Sequence, residues 1–311
     1  MICKLEGDAP IFQCVPNFSE GRRTDVVAAI VDSAREVERR GGVRVIDWSA
    51  DTDHNRMVVT LLGEELPVAK AMLAMARCAV ENIDLRKQTG VHPRIGAIDV
   101  LPVVPIRGAT FADANRLAQS ISQSIGNQLL VPVCLYEQSA HPGKLRALPA
   151  IRKVVKQLLQ NPTDGQVLPS DYGPTTPHPS AGVTVAGARA PLTAYNIDLN
   201  TQNVAVAEAI AADIRKQRAV IPSLQGVRAL GLFLDSRNCA QVSMNLTVPA
   251  ASPMPAVFNY VAAAAQRLGA EPTLSEIIGV VPAVSLGNGS PEQILWHDFR
   301  AEKVIESWFD A

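Results

Sequence analysis

Apolar and polar positions alternate in blocks of changing period along the first hundred residues. Residues 11–15 (IFQCV) form a short β-rich run. Residues 24–40 place Val27, Ile30, Val31 and Ala34 at helical spacing. Residues 43–48 and 57–62 read as strands, residues 65–83 as a strongly apolar helix, and residues 98–104 as a strand closed by Pro105. The order strand, helix, strand, strand, helix, strand predicts a split βαβ, or ferredoxin-like, unit.

A helix over 111–128, a strand over 131–136 and a helix over 147–160 follow. From 161 to 182 the periodicity stops in a stretch rich in Pro, Thr, Ser, Asp and Gly, a length that marks either a functional loop or a linker. The first order then recurs: a strand at 192–199, a helix at 204–218, strands at 227–234 and 240–246, a helix at 255–268 and a strand at 274–281. The recurrence is one of pattern, not of residue identity. The expected fold is α/β (α+β): two ferredoxin-like βαββαβ subdomains, residues 1–185 and 186–311, with a ligand cleft between them.

Composition narrows the function classes. With 311 residues, 47% of them hydrophobic, the chain has material for a sizeable core. A net charge of −1 leaves no global basic field for nucleic acid or a membrane surface, so an anionic ligand needs local arginines. The five cysteines (Cys3, Cys14, Cys78, Cys134, Cys239) are scattered and form no CxxC pair, as expected of reduced thiols in the cytoplasm. No uninterrupted apolar run approaches the roughly 18 residues of a membrane span, and the opening MICKLEGDAPIF has no signal-type apolar run.

Four segments carry candidate chemistry. His92 lies between Val91 and Pro93, where a helix interior is disfavoured, with Gly90 and Gly96 nearby. Its side chain suits general acid and base work near neutral pH, or simply caps the loop. The run Asp51-Thr52-Asp53-His54-Asn55-Arg56 has the composition of a hairpin loop, and Arg56 is a candidate carboxylate clamp. Its acid and histidine are too few for a metal site. Along 239–246, Gln241, Ser243 and Asn245 share one face of a strand, either solvated or turned to a ligand. The loop Gly173-Pro174-Thr175-Thr176-Pro177-His178-Pro179-Ser180-Ala181-Gly182 is stiffened by three prolines and reads as a linker or as the wall of a site for a flat ligand. No P-loop, dinucleotide fingerprint, GxSxG or HExxH occurs, so neither nucleotide nor metal is expected.

Taken in order, CVPNFSEGR (14–22), Asn55-Arg56, GVHPRIGAIDVLP (90–102), LYEQSA (135–140), LPAIR (148–152), the 173–182 loop, GAR (187–189), AYNIDL (194–199) and LDSRNCAQVSMNL (234–246) resemble the glutamate formiminotransferase family. In animals the module is similar to the first part of a bifunctional formiminotransferase–cyclodeaminase. The resemblance implies two ferredoxin-like subdomains, a catalytic histidine at His92, and folate contacts along Gly173 to Gly182. Tetrahydrofolate is then a co-substrate: N-formimino-L-glutamate and tetrahydrofolate give 5-formimino-tetrahydrofolate and glutamate, in histidine degradation. Arg56, Arg94 and Arg189 are the candidates to hold substrate carboxylates, and a homodimer is expected. Handling of 5-formyl-tetrahydrofolate, or folate binding without catalysis, are the other readings. The chain departs from animal relatives at Ser49, where they carry an acid, and along 153–159 (KVVKQLL).

Overall fold

The computed structural model describes residues 5, 8–91, 93–160 and 167–309. Two compact units divide between Arg189 and Ala190.

The first unit, Gly7–Arg189, begins with β1 (Ile11–Cys14) and β2 (Asn17–Phe18), two halves of one strand broken at Pro16. Then come α1 (Thr24–Glu38), β3 (Val43–Asp51), β4 (Arg56–Glu64), α2 (Glu65–Asn82) and β5 (Ile98–Pro105). With β1 and β2 counted as one strand, the sheet order β3, β4, β1/β2, β5 is that of the split βαβ unit, every pair antiparallel. Beyond it lie α3 (Phe111–Leu129), β6 (Val133–Leu135), α4 (Leu148–Gln160) and β7 (Thr184–Ala188). The strands β7 and β6 extend the sheet past β5 in parallel.

Local chemistry explains where these elements start. Thr110 and Asp113 form a reciprocal capping box at α3, each satisfying backbone N–H groups of the first turn. The helices α1, α2 and α3 bury Ile30, Met72, Ile121 and their neighbours against Phe12, Leu61 and Leu101. A smaller cluster joins Ile151 and Val155 of α4 to Val100, Cys134 and Val185. Those strand residues alternate with the ones facing α1–α3, so α4 covers the opposite face.

Two strands here have no counterpart in the periodicity. The strand β2 spans two residues, and β7 reads TVAGA, small and buried on both faces, so no alternation marks it. Its Gly187 is required by packing, because a Cβ there would lie 2.3 Å from the Tyr136 carbonyl oxygen.

The second unit contains β8 (Thr193–Leu199), α5 (Val204–Gln217), β9 (Val227–Leu234), β10 (Cys239–Leu246), α6 (Met254–Arg267) and β11 (Pro272–Ile278). Its antiparallel sheet runs β11, β8, β10, β9, the same strand order on a second set of residues. Tyr195, Ile197, Val242 and Met244 face Ile210, Ile214, Val257 and Val261 of the two helices. After β11 the chain continues in short helical turns and buries Trp296 against this core. Leu5 joins the unit through its N–H on the Trp308 carbonyl, 3.1 Å.

Candidate active site

The site is built where three sequence-distant segments of the first unit are tied together by side-chain hydrogen bonds. The first is the turn before α1. The Glu20 carboxylate accepts from the N–H groups of Gly21, Arg22 and Arg23 at 3.0, 2.9 and 3.0 Å, and from Arg23 Nε at 2.6 Å. A buried carboxylate at a helix N-terminus meets unpaired N–H groups and the positive end of the dipole. Burial alone raises its pKa; the backbone donors of Arg23 and Arg22, with the Arg23 and Gln88 side chains, outweigh that and hold it below the ordinary glutamate value.

The second segment is the hairpin between β3 and β4. Asn55 sits at φ 45°, a left-handed conformation that asparagine tolerates. Its Oδ1 accepts from Gly21 N–H at 2.9 Å, while its Nδ2 donates to the Thr89 carbonyl at 2.9 Å and to Gln88 Oε1. Gln88 in turn donates to Glu20 Oε2 at 3.0 Å, closing a ring through the third segment, 88–99. Gly21 admits no side chain here, since a Cβ would lie 2.2 Å from the Asp51 carbonyl oxygen.

Beside this ring lies a buried charge cluster. Asp99 is 0% exposed. Its Oδ2 accepts from Arg56 Nη1 at 2.7 Å and from Arg152 Nη2, and its Oδ1 from Ile95 N–H at 3.0 Å. Arg56 also grips Asn17 Oδ1 with Nε and Nη2, at 3.2 and 2.8 Å. Burial pushes the Arg56 guanidinium below its ordinary value; Asp99 opposes this, and Arg152 and Arg94 add to it.

The expected carboxylate holders are thus placed as follows. Arg56 is 11% exposed and spends three donors on Asp99 and Asn17. Arg94 turns back to the hairpin, donating to the carbonyls of His54 at 2.9 Å and Asn55 at 3.4 Å. Arg189 directly follows β7, its N–H on the Val103 carbonyl at 3.0 Å and its charge opposing the rise that burial gives the Tyr136 phenol. His92 itself lies outside the described residues. The residues around it are pinned to the hairpin: Val91 N–H reaches the Asp53 carbonyl at 3.1 Å, and Arg94 holds His54.

The 173–182 loop closes on the same region. Leu85 N–H donates to the Ser180 carbonyl and Ala97 N–H to the Ala181 carbonyl, at 2.9 and 2.8 Å. Gly182, at φ 67°, brings its backbone against Ile95. Glu20, Arg22, Asn55, Lys87, Gln88 and Ser180 line a cavity of about 590 Å³, within the range of small-molecule sites. Glu20, Gln88, Asp99 and Arg152 are the residues that the sequence reading did not single out. A lone carboxylate in the apolar strand AIDVLP was the available signal, because a buried charge requires a partner. Among the described residues, no group of three His, Cys, Asp or Glu is placed to hold a metal, and no helix is long and apolar enough to cross a membrane.

The second unit carries a polar cluster of its own. Arg237 bridges Asp198 Oδ2 at 2.7 Å and Glu276 at 3.2 Å, and Gln241 Nε2 donates to Asp198 Oδ1 at 2.7 Å. Gln241 shares its strand face with Ser243 and Asn245 as the alternation predicts, yet is 0% exposed rather than solvated.

The family model for the N-terminal subdomain of the formiminotransferase domain matches residues 11–189, and the model for the formiminotransferase domain matches residues 194–290. This chain belongs to the formiminotransferase family. A glutamate formimidoyltransferase of Streptococcus pyogenes is 35% identical over 297 residues, covering 96% of this chain and 97% of its own. One from Thermoplasma acidophilum is 36% identical over 298 residues, covering 95% and 96%. The formimidoyltransferase-cyclodeaminase of Sus scrofa is 37% identical over 279 residues, which are 89% of this chain and 51% of that protein. The first family match ends at Arg189, where the first unit also ends, one residue past β7.

Proposed function

We propose that this chain moves the formimino group of N-formimino-L-glutamate to N5 of tetrahydrofolate, giving 5-formimino-tetrahydrofolate and glutamate, as a cytoplasmic, homodimeric enzyme of histidine degradation. The observation that carries the reading is the convergence of the Glu20 turn, the Asn55 hairpin, the 88–99 segment and Ser180 on one cavity. Full-length relatives named glutamate formimidoyltransferase support the same reaction.

The chemistry asks little beyond positioning and one proton carrier. N5 attacks the amidine carbon and loses its proton; the bond from that carbon to the glutamate nitrogen breaks, and that nitrogen gains a proton. His92 takes the first proton and returns it to the second site. The tetrahedral intermediate bears nitrogens rather than an oxyanion, so orienting two substrates supplies much of the rate. The 173–182 loop holds the folate. Arg56, Arg94 and Arg189 supply the positive charge that draws the substrate carboxylates, with Arg94 fixed by the hairpin and Arg56 by Asp99.

The test is a direct assay of 5-formimino-tetrahydrofolate formation by the purified protein, with His92→Ala beside it. Turnover in the parent, falling by about two to four orders of magnitude in the variant, is expected of a lost general base. No formimino transfer, with 5-formyl-tetrahydrofolate still bound, would replace this reading with formyl-folate handling or a binding role.

A further inference from the structure

The charged side chains that line the cavity are Glu20, Arg22, Arg23, Glu81, Asp84 and Lys87. Two of the carboxylates are already committed. Glu20 pairs with Arg23 at 2.6 Å, in addition to its backbone donors. Asp84 accepts from Nε and Nη2 of Arg86, each at 2.8 Å, and from the Arg86 N–H. Arg86 is the main reason that the Asp84 carboxyl sits well below its ordinary value, and Lys87 contributes least to it.

Arg22 and Lys87 are left facing only the exposed carboxylate of Glu81. Arg22 gives Nε to the Thr52 carbonyl at 2.9 Å and Nη1 to the Thr89 hydroxyl at 3.1 Å. Both acceptors are neutral, so they fix the guanidinium and leave its charge unbalanced. Its Nη2 makes no hydrogen bond to a described residue. The Lys87 ammonium has no hydrogen-bond or ion-pair partner among the described residues. Its backbone is nonetheless set: Lys87 N–H meets the Asp84 carbonyl at 3.0 Å, and Leu85 N–H meets the Ser180 carbonyl at 2.9 Å. Arg56 and Arg94 are instead turned to Asp99 and to the hairpin carbonyls, and neither they nor Arg189 line the cavity.

Two unbalanced cations at the wall of a concave site raise the local concentration of anions. Resting on the proposed transfer reaction, we infer that Lys87 and Arg22 are specificity residues that bind the two carboxylates of a glutamate moiety in this cavity, while Arg56, Arg94 and Arg189 act on it only through their field. Arg22 offers a planar N–H edge that is already oriented, and Lys87 a compact charge with three donors. An oriented donor loses little entropy on binding. Both reactants carry this moiety, because the folate also ends in glutamate.

The experiment is calorimetric titration of the parent, Lys87→Met, Arg22→Met and Lys87→Arg. Each is titrated with N-formimino-L-glutamate, with 5-formyl-tetrahydrofolate and with 5-formyl-tetrahydropteroate, which lacks the terminal glutamate. Loss of one charge-assisted contact should weaken binding of one glutamate compound about 10-fold in either methionine variant. Lys87→Arg keeps the charge and should stay within about 3-fold of the parent. The effect should shrink at high salt. A loss confined to N-formimino-L-glutamate identifies the amino-acid substrate as the ligand; a loss for the folate that spares the pteroate identifies the folate tail. Parent-like affinity of both methionine variants for both glutamate compounds, or an equal loss for the pteroate, overturns the inference and leaves the transfer reading intact. A parent that binds neither glutamate compound overturns both.

Discussion

Arg56 Nη1 lies 2.7 Å from Asp99 Oδ2, and the carboxylate is wholly out of solvent. The pair joins β4 to β5 across β2, and Arg152 reaches the same oxygen from α4, on the other side of the sheet from α1–α3. One carboxylate therefore balances two guanidinium groups whose side chains are 11% and 17% exposed. In Asp99→Asn the shape is kept and the balance is lost, leaving two largely covered cations without this counter-charge. Truncating one partner of a buried pair costs about 3–5 kcal/mol. Denaturant unfolding of Asp99→Asn should show a loss of that order; a loss under about 1 kcal/mol would mean that the cluster is hydrated rather than closed.

Glu20 makes a different kind of contribution, one that depends on pH. Its folded-state pKa lies below the ordinary glutamate value, about 4.3 in the unfolded chain. The folded state therefore binds the proton less readily than the unfolded one. The stabilisation is fully present above the unfolded value and fades as the pH falls through the folded one. Glu20→Gln keeps one acceptor oxygen for the three backbone N–H groups but removes the charge and the second acceptor, at an expected cost of about 1–2 kcal/mol at pH 7. Paired thermal melts check this: the gap between parent and Glu20→Gln should be widest at pH 7 and narrow below about pH 4. A gap that is the same at both pH values would show that shape, not charge, holds the turn.

The loop across the cavity turns on a backbone conformation that only glycine adopts at low cost. Gly182 has φ 67°, and a Cβ there would stand 2.3 Å from the Ile95 carbonyl oxygen and 2.6 Å from Leu85. Gly182→Ala must then break the Val183 N–H bond to Ile95 or shift the segment following His92. Weakened folate binding, by at least tenfold on the proposed reading, is expected with the global unfolding midpoint little changed, because the strain falls on a loop. Tight binding in Gly182→Ala would place the folate elsewhere.

The distribution of legible and illegible features has a physical cause. Where an element buries one face, periodicity reports it: α1 through Val27, Ile30 and Val31, and β10 through Val242 and Met244. The strand β7 is covered on both faces and β2 is two residues long, so neither has a period to read. The site divides similarly. His92 and the 173–182 loop stood out because glycine and proline constrain the backbone around them. Glu20, Gln88 and Arg152 are ordinary surface types by composition, and only the fold shows them turned inward onto Asn55 and Asp99. Gln241 is the same case in the second unit: its place on a polar strand face was readable, but its complete burial was not.

Asn55 holds the three segments together, and its chemistry can be divided by substitution. Its Oδ1 serves Gly21, and its Nδ2 serves Gln88 and Thr89. Asn55→Gly suits the left-handed backbone but deletes both functions; Asn55→Asp keeps the acceptor and turns the donor into a second acceptor. In the aspartate variant a carboxylate faces Gln88 Oε1 and the Thr89 carbonyl, with Glu20 one residue further along the ring. Like partners in a buried site repel, so Asn55→Asp should be the less stable of the two at pH 7, by about 1–3 kcal/mol. Protonation of the new carboxyl restores a donor, so that deficit should shrink as the pH falls toward 5, opposite in sign to the effect at Glu20. Unfolding both variants at pH 7 and pH 5 separates the two cases. An aspartate variant more stable than the glycine one at both pH values would show that Asn55 acts through its acceptor to Gly21 alone.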